Sequence, residues 1–144
     1  MKPDATILAF DFGTRRIGVA TGNTMIRTAH PLMTVDAPSE AERFERIARL
    51  IEEWRPARLV VGLPVHADGR PHAMTAGARR FASAVGARFA LPVTLVDERF
   101  TSQAANIALR ESGRSGRDAR AARDAAAAQL ILQAWFDEPD DDAG

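Results

Sequence analysis

The sequence of 144 residues contains no cysteine, and its only lysine is Lys2. Without cysteine the chain has no disulfide bonds and no thiolate metal sites, which fits a cytoplasmic protein. No apolar run approaches the ~20 residues that a transmembrane helix needs. The first residues also lack the basic region, apolar stretch and cleavage site that together mark a secretory signal. We therefore expect a cytoplasmic protein that does not span a membrane.

The hydrophobic content of 46% is sufficient for one core and excludes a disordered chain. A length of 144 residues is typical of one compact domain. We expect this single domain to occupy residues 1–136. The remaining residues, 137–144, read DEPDDDAG and are predicted to form a disordered acidic tail.

The formal net charge of zero conceals an uneven distribution of charge. The tail holds five of the 19 acidic residues, so residues 1–136 carry a net charge of +5. Between Arg99 and Arg123, six arginines accompany only two acids, Glu111 and Asp118. Arginine binds phosphate bidentately, so the excess indicates nucleic-acid binding. A solvated charged surface would give the same composition, and the composition alone does not separate the two interpretations.

The first third of the chain predicts three short strands, which lie within Thr6 to Phe12, Arg15 to Thr21 and Thr28 to Val35. The first two are joined by a tight turn and must be antiparallel neighbours. Pro31 weakens the third. Ser39 and Glu42 then have the spacing of a helix capping box.

The rest of the chain alternates strands and helices. The apolar run Leu59 to Leu63 follows a helix, which predicts a buried parallel strand. A second helix, a strand ending near Glu98 and two further helices follow, the last from about Ala119 to Phe136. The element order β-β-β-α-β-α-β-α-α predicts an α/β fold: a mixed five-stranded sheet, its first three strands antiparallel, with helices on both faces.

Three acidic residues stand where a metal-dependent nuclease would need them: Asp11, Glu98 and Asp124. Two follow apolar strands and the third begins an apolar helical stretch, so the three can converge. Clustered carboxylates repel one another unless a cation lies between them, and a divalent metal is the natural occupant. Asp11 and Asp124 also have structural interpretations. Asp11 could cap a turn, and Asp124 could complement a helix dipole. Asp97 and Glu98 must face opposite ways on a strand.

Several stretches, in order and at suitable spacing, resemble the YqgF/RuvX family, described as Holliday junction resolvases and as pre-16S rRNA processing nucleases. The resemblance covers about Ile7 to Trp135. The matching stretches are Asp11-Phe12-Gly13-Thr14, Ile17-Gly18-Val19-Ala20, Val61-Gly62-Leu63-Pro64, Asp68-Gly69, Asp97-Glu98-Arg99-Phe100-Thr101-Ser102, and Asp124 with Ala126-Ala127 and Leu130-Ile131-Leu132. The resemblance implies a ribonuclease H-like fold.

The resemblance also implies a metal-dependent phosphodiesterase whose catalytic and metal-binding acids are Asp11, Glu98 and Asp124. Two ions of Mg²⁺ or Mn²⁺ suit an all-carboxylate site, where they would activate water and stabilise the leaving oxygen. On this interpretation Asp11 bridges the metals or anchors one, Glu98 binds a metal or orients the water, and Asp124 completes the second site.

The candidate nucleic-acid-binding residues lie near these acids in the sequence. Arg99 could clamp the scissile phosphate or pair with Asp97. Thr14 could donate to a phosphate or only satisfy its turn. Further arginines could follow a phosphate backbone or belong to a solvated surface: Arg16, Arg114, Arg117, Arg120 and Arg123.

The favoured function is endonucleolytic processing of a 16S rRNA precursor. Ribosomal particles are then possible partners. One alternative is a Holliday junction resolvase, which predicts a symmetric dimer. The other is a non-catalytic, nucleic-acid-binding ribosome assembly factor, for which binding would survive loss of the three acids. A monomer and a homodimer both remain open.

Overall fold

The computed structural model describes residues 5–64, 74–97 and 116–138. These segments form a five-stranded sheet and three helices. In chain order they are β1 (Thr6–Asp11), β2 (Arg16–Asn23), β3 (Thr28–Asp36), α1 (Glu40–Trp54), β4 (Arg58–Leu63), α2 (Thr75–Phe89), β5 (Val93–Asp97) and α3 (Gly116–Asp137). The helix predicted from Thr101 or Ser102 to about Glu111 lies outside the described residues.

The strands lie in the order β3-β2-β1-β4-β5. β1, β2 and β3 form an antiparallel meander, and β4 and β5 continue the sheet in parallel with β1. This confirms the predicted mixed sheet. Because β1, β4 and β5 are parallel, their carboxyl ends lie at one edge of the sheet, and β2 starts at that same edge.

Edge strand β3 contains the only irregularity in strand pairing among the described strands. Val19 pairs with Met33 and the next residue, Ala20, pairs with Pro31, so Leu32 is an extra residue in β3. Proline has no N–H to donate, which is why it is tolerated at a bulge on an edge strand. The sequence indicated a weakened strand here, and the structure shows that it continues through the proline.

Two separate apolar clusters cover the two faces of the sheet, because successive strand residues point to opposite faces. Leu8 and Phe10 of β1 pack with residues of α1 and α2. Ile7 and Ala9, which alternate with them, pack on the other face against α3. The predicted placement of helices on both faces is therefore confirmed.

Helix α1 begins as its sequence predicts. Ser39 is the N-cap, and its hydroxyl accepts a hydrogen bond from the backbone N–H of Glu42 at 3.1 Å. The helix ends at Arg55, which adopts a left-handed conformation just before Pro56. Phe44, Ile47 and Leu50 form its buried face.

Helix α3 is longer than predicted at both ends, starting at Gly116 and including Asp137, the first residue of the expected acidic tail. It is fixed to the edge strand by side-chain amides: the backbone N–H of Ala29 donates to Gln133 at 2.9 Å, and Gln129 donates to the Ala29 carbonyl at 3.1 Å. Residues 139–144 lie outside the described part. No helix that the structure describes is long and apolar enough to cross a membrane.

A candidate metal and nucleic-acid site at the carboxyl edge of the sheet

Asp11 is the last residue of β1 and lies on the face of the sheet that α3 covers. It continues the alternation of Ile7 and Ala9, which pack against α3. In the antiparallel pairing of β1 with β2, Asp11 lies directly opposite Gly18. Residues opposite each other in such a pair present their side chains to the same face.

The backbone of α3 passes directly over Gly18, with no room for a side chain between helix and sheet. A Cβ built on Gly18 would overlap the backbone carbonyl of Asp124, and it would lie 3.1 Å from the nitrogen of Ala125. The helix backbone therefore occupies the space that any other side chain would fill. Since Gly18 pairs with Asp11, this contact brings Asp124 next to Asp11, although they are 113 positions apart in sequence.

A hydrogen bond holds the same part of α3 on β3. The hydroxyl of Thr34 donates to the carbonyl oxygen of Ala121 at 2.7 Å. Thr34 pairs with Gly18 across the sheet, so Asp11, Gly18 and Thr34 form one row beneath the helix. Asp124 lies about two turns after the helix start at Gly116. A dipole-complementing role in the first turn is therefore excluded for it.

Asp124 forms an ion pair with Arg16, the first residue of β2. The Arg16 Nε donates to Asp124 Oδ2 at 2.8 Å. The side chains are 33% and 17% exposed, respectively, so the pair is largely shielded from water. The hydrogen bond to Asp124 raises the pKa of the Arg16 guanidinium, and the negative charges of Asp124 and Asp36 act in the same direction. This contact was not predicted from the sequence.

The third predicted acid, Glu98, lies outside the described residues, but its neighbour Asp97 is the last residue of β5. Val96 packs in the cluster on the α3 face, whereas Val93 packs in the cluster beneath α1 and α2. Strand alternation therefore places Asp97 on the face opposite that of Asp11 and Asp124. The sheet therefore separates Asp97 from Asp11 and Asp124.

The chemistry of Asp11 and Asp124 fits a divalent metal. Both supply carboxylate oxygens, the ligands that Mg²⁺ and Mn²⁺ prefer. The Asp124 carboxylate is already paired with the Arg16 guanidinium, so a metal would have to share that carboxylate or displace Arg16 from it. Within the described ranges no group of three or more acidic, histidine or cysteine residues could hold a metal. These two acids would therefore need a further ligand.

The predicted nucleic-acid-binding residues are only partly brought together. Thr14 is exposed in the turn between β1 and β2. Arg120 is exposed on α3, about one turn before Asp124. Arg123 directly precedes Asp124 and is half-buried. The backbone of Arg117 belongs to α3, but its side chain lies outside the described part, as do Arg99 and Arg114 altogether.

Two further residues complete the polar surroundings of Arg16 and were not singled out as binding residues from the sequence. Arg15 and Asp36, at the start of β2 and the end of β3, form an ion pair with an Nε–Oδ1 distance of 3.2 Å. Their proximity follows from the strand register, which pairs Arg16 with Asp36. That register could not be read from the sequence because the extra residue at Leu32 shifts it by one.

The chain is similar to known proteins over nearly its whole length. The family model described as "RuvX: Holliday junction resolvase" matches residues 5–138. A protein of Dechloromonas aromatica is 56% identical over 134 residues, covering 93% of this chain and 92% of its own length. One of Chromobacterium violaceum is 55% identical over 133 residues, with coverage of 92% and 97%. Both are named "Putative pre-16S rRNA nuclease".

Among solved structures, RuvC of Thermus thermophilus in complex with a Holliday junction substrate aligns with a TM-score of 0.52. The alignment covers 92% of this chain and 93% of that one, at 19% identity, and it supports the ribonuclease H-like fold alone. The family match and the relatives extend over nearly the whole chain. The chain therefore belongs to the RuvX family, a family of nucleases.

Proposed function

We propose that this protein is a divalent-metal-dependent endonuclease that processes the 16S rRNA precursor in the cytoplasm during ribosome biogenesis. The observation that carries the proposal is that the α3 backbone at Asp124 packs onto Gly18, the residue paired with Asp11. A nucleic-acid-binding protein without catalytic activity gains nothing from two acids close together, because they repel the phosphate backbone. A hydrolase gains a place for the cation that its reaction requires.

In this proposal Asp11 and Asp124 hold the metal, with Glu98 as a further ligand. A bound Mg²⁺ or Mn²⁺ supplies an activated water and stabilises charge on the leaving oxygen, and two ions divide these tasks. The contribution of the chain is positioning. Asp11 is fixed at the end of a buried strand, and Asp124 is fixed by the contact of α3 with Gly18 and by Thr34. Such preorganisation lowers the barrier because the ligands need not reorganise during the reaction.

The basic residues would bind the phosphate backbone on either side of the scissile bond. Arg120 and Arg123 lie on the same helix as Asp124, and Thr14 lies in the turn that follows Asp11. We include Arg16, Arg99, Arg114 and Arg117 in this role, as the sequence predicts.

Pre-16S rRNA is the proposed substrate because relatives at 55–56% identity carry that name. Ribosomal particles that contain this precursor would then be the physiological partners. A four-way DNA junction is the second candidate, favoured by the description of the matching family model. The two differ in assembly as well as in substrate, since symmetric cleavage of a junction requires two sites related by a two-fold axis.

A parallel cleavage assay separates these functions. A 16S rRNA precursor fragment and a four-way DNA junction are incubated with the wild-type protein in Mn²⁺ or in EDTA. We expect metal-dependent cuts in the RNA. Asp124→Asn should reduce the rate by roughly 100-fold or more, because even the outer-sphere partners of metal ligands contribute 10- to 100-fold.

Asp137→Asn is the matched control for this substitution, because it is the same change at an exposed position of the same helix. It should cleave like the wild type. Cuts in the junction alone would replace the rRNA substrate with the alternative. RNA binding without cleavage of either substrate, unaffected by Asp124→Asn, would refute the nuclease and favour a non-catalytic assembly factor.

A further inference from the structure

A cleft of about 700 Å³ lies beside the candidate metal site, between the start of β2, the end of β3 and the first half of α3. Its walls are formed by Arg15, Arg16, Thr34, Asp36, Arg120 and Ala121. Three of these six residues are arginines and one is acidic. The cleft adjoins Asp124, because Arg16 lines it and also binds that carboxylate.

We propose that this cleft binds one phosphate group of the nucleic-acid backbone, next to the phosphodiester held at Asp11 and Asp124. The inference rests on the proposed function for the identity of the ligand, and it assigns a specific subsite with Arg15 and Arg120 as its main donors. Guanidinium groups suit this ligand because their planar N–H donors match the geometry of phosphate oxygens.

The existing ion pairs show which arginines can serve the ligand. Arg16 is one-third exposed and engaged by Asp124, so it contributes mainly through its charge. Arg15 is 67% exposed and its partner Asp36 is 44% exposed. An ion pair this open to water is weak, so a phosphate can displace Asp36 at little cost. Arg120 is exposed on the opposite wall.

The position of the cleft indicates a neighbouring phosphate, not the one that is cleaved. Arg120 precedes Asp124 by four residues, which is about 6 Å along the helix axis. The side chain of Arg15 reaches Asp36 at the end of β3, which lies on the side of β2 away from β1 and Asp11. A strand that enters the acidic site from this side would pass over the cleft, and the bound phosphate would fix its register.

Substitution of Asp36 tests the subsite by a change that should strengthen nucleic-acid binding. Asp36 is the one acidic residue in the wall of the cleft and the carboxylate that a phosphate must displace from Arg15. Asp36→Asn keeps the shape of the side chain while removing its charge. It should therefore strengthen nucleic-acid binding, whereas loss of Arg15 and Arg120 should weaken it.

The experiment measures the affinity of a labelled fragment of single-stranded precursor RNA as a function of salt, in EDTA so that neither metal nor cleavage contributes. The double variant Arg15→Ala/Arg120→Ala is compared with Arg49→Ala/Arg79→Ala, which removes the same charge from exposed positions on α1 and α2. We expect the cleft variant to bind at least about tenfold more weakly and its log–log salt slope to fall by about 0.7 per lost contact. The control pair should keep the wild-type slope, and Asp36→Asn should bind severalfold more tightly.

The proposed phosphate subsite is refuted if the wild type binds RNA and Arg15→Ala/Arg120→Ala binds it with the same affinity as the control pair. It is also refuted if Asp36→Asn leaves the affinity of the protein for RNA unchanged. Melting temperatures equal to that of the wild type confirm that the variants are folded. The outcome is independent of the nuclease assay. A wild type that binds RNA through the cleft but cleaves nothing in Mn²⁺ would refute the proposed function and retain the subsite. A wild type that does not bind RNA would overturn both.

Discussion

Replacing Gly18 with alanine is the most revealing single change, because it tests the contact that brings the two acids together. The added Cβ would overlap the carbonyl group of Asp124. Both partners are backbone atoms of regular elements, so no side chain can rotate away. To regain an ordinary non-bonded separation of about 3.5 Å, α3 must move away from β2 by more than ~1 Å.

The expected cost follows from that displacement. Overpacking of a well-packed core typically destabilises by 1–3 kcal/mol, and this overlap belongs at the upper end, about 3 kcal/mol. For a chain of this size each kcal/mol lowers the melting temperature by about 2–4 °C, so a fall of roughly 6–12 °C is expected. Misplacement of a catalytic group by about 1 Å costs on the order of 100-fold in rate.

The assay combines thermal unfolding with metal-dependent RNA cleavage at a temperature at which the variant is folded. Gly86→Ala is the matched control: its new Cβ would meet a methyl group of Val93 at 3.0 Å, which can adjust, and alanine is favoured within helix α2. The control should melt near the wild-type temperature and cleave at the wild-type rate. Wild-type melting and cleavage by Gly18→Ala would refute the close approach of α3 and the site built upon it.

Three further outcomes are expected. Arg16→Gln should destabilise the fold by about 1 kcal/mol, which is less than the loss of a fully buried ion pair because Arg16 is one-third exposed. Since the pKa of Arg16 is raised, the stability that the pair contributes is present below the ordinary arginine pKa and is lost only in strong alkali. Denaturant titrations should therefore give the same difference in unfolding free energy at about pH 6 and at about pH 9. Mn²⁺ at about 100 times its dissociation constant should raise the free energy of unfolding of the wild type by about 2.7 kcal/mol in the same titrations. This increase should vanish in Asp11→Asn. An equal increase in that variant would show that the ion binds elsewhere. Ser39→Ala should lower the free energy of unfolding by about 1 kcal/mol through loss of the N-cap of α1. At a temperature where this variant is folded, it should cleave RNA at the wild-type rate. A reduced rate would show that α1 contributes to the site.

Local signals were enough to predict most of the fold. The short turn after Asp11 required β1 and β2 to be antiparallel, and the run Leu59 to Leu63 followed a helix and proved to be a parallel strand. Ser39 caps α1 as its spacing predicted. In each case the information lies within a few residues of the chain.

Long-range features were not predictable from the sequence. The extra residue at Leu32 sets which residues of β3 face Arg15 and Arg16, and nothing in the local sequence specifies it. The Arg16–Asp124 pair joins residues that are 108 positions apart. Gly18 was part of a matching stretch, but its role depends on the backbone of a helix more than one hundred residues later. Such contacts depend on packing between distant elements, which single-sequence patterns do not encode.

The same limit applies to the candidate site. The sequence predicted Asp11 and Asp124 as members of one site, and in the structure the α3 backbone at Asp124 packs onto Gly18, the strand partner of Asp11. Their roles in catalysis and metal binding stay predictions, as does that of Glu98, which lies outside the described residues. Arg16 was predicted to contact nucleic acid, whereas its observed partner is an acid of the site. The sequence could identify residue types but not the partner of each.

The most direct test of the account is a double-mutant cycle on metal-dependent cleavage of the RNA precursor, using Asp11→Asn, Asp124→Asn and the combined variant. Residues that serve one metal site act as a unit, so their effects are not additive. A shared metal site predicts that each single substitution lowers the cleavage rate to about the same residual value and that the combined variant is no slower. Independent losses that multiply in the combined variant, or wild-type cleavage by either single variant, would contradict a shared site.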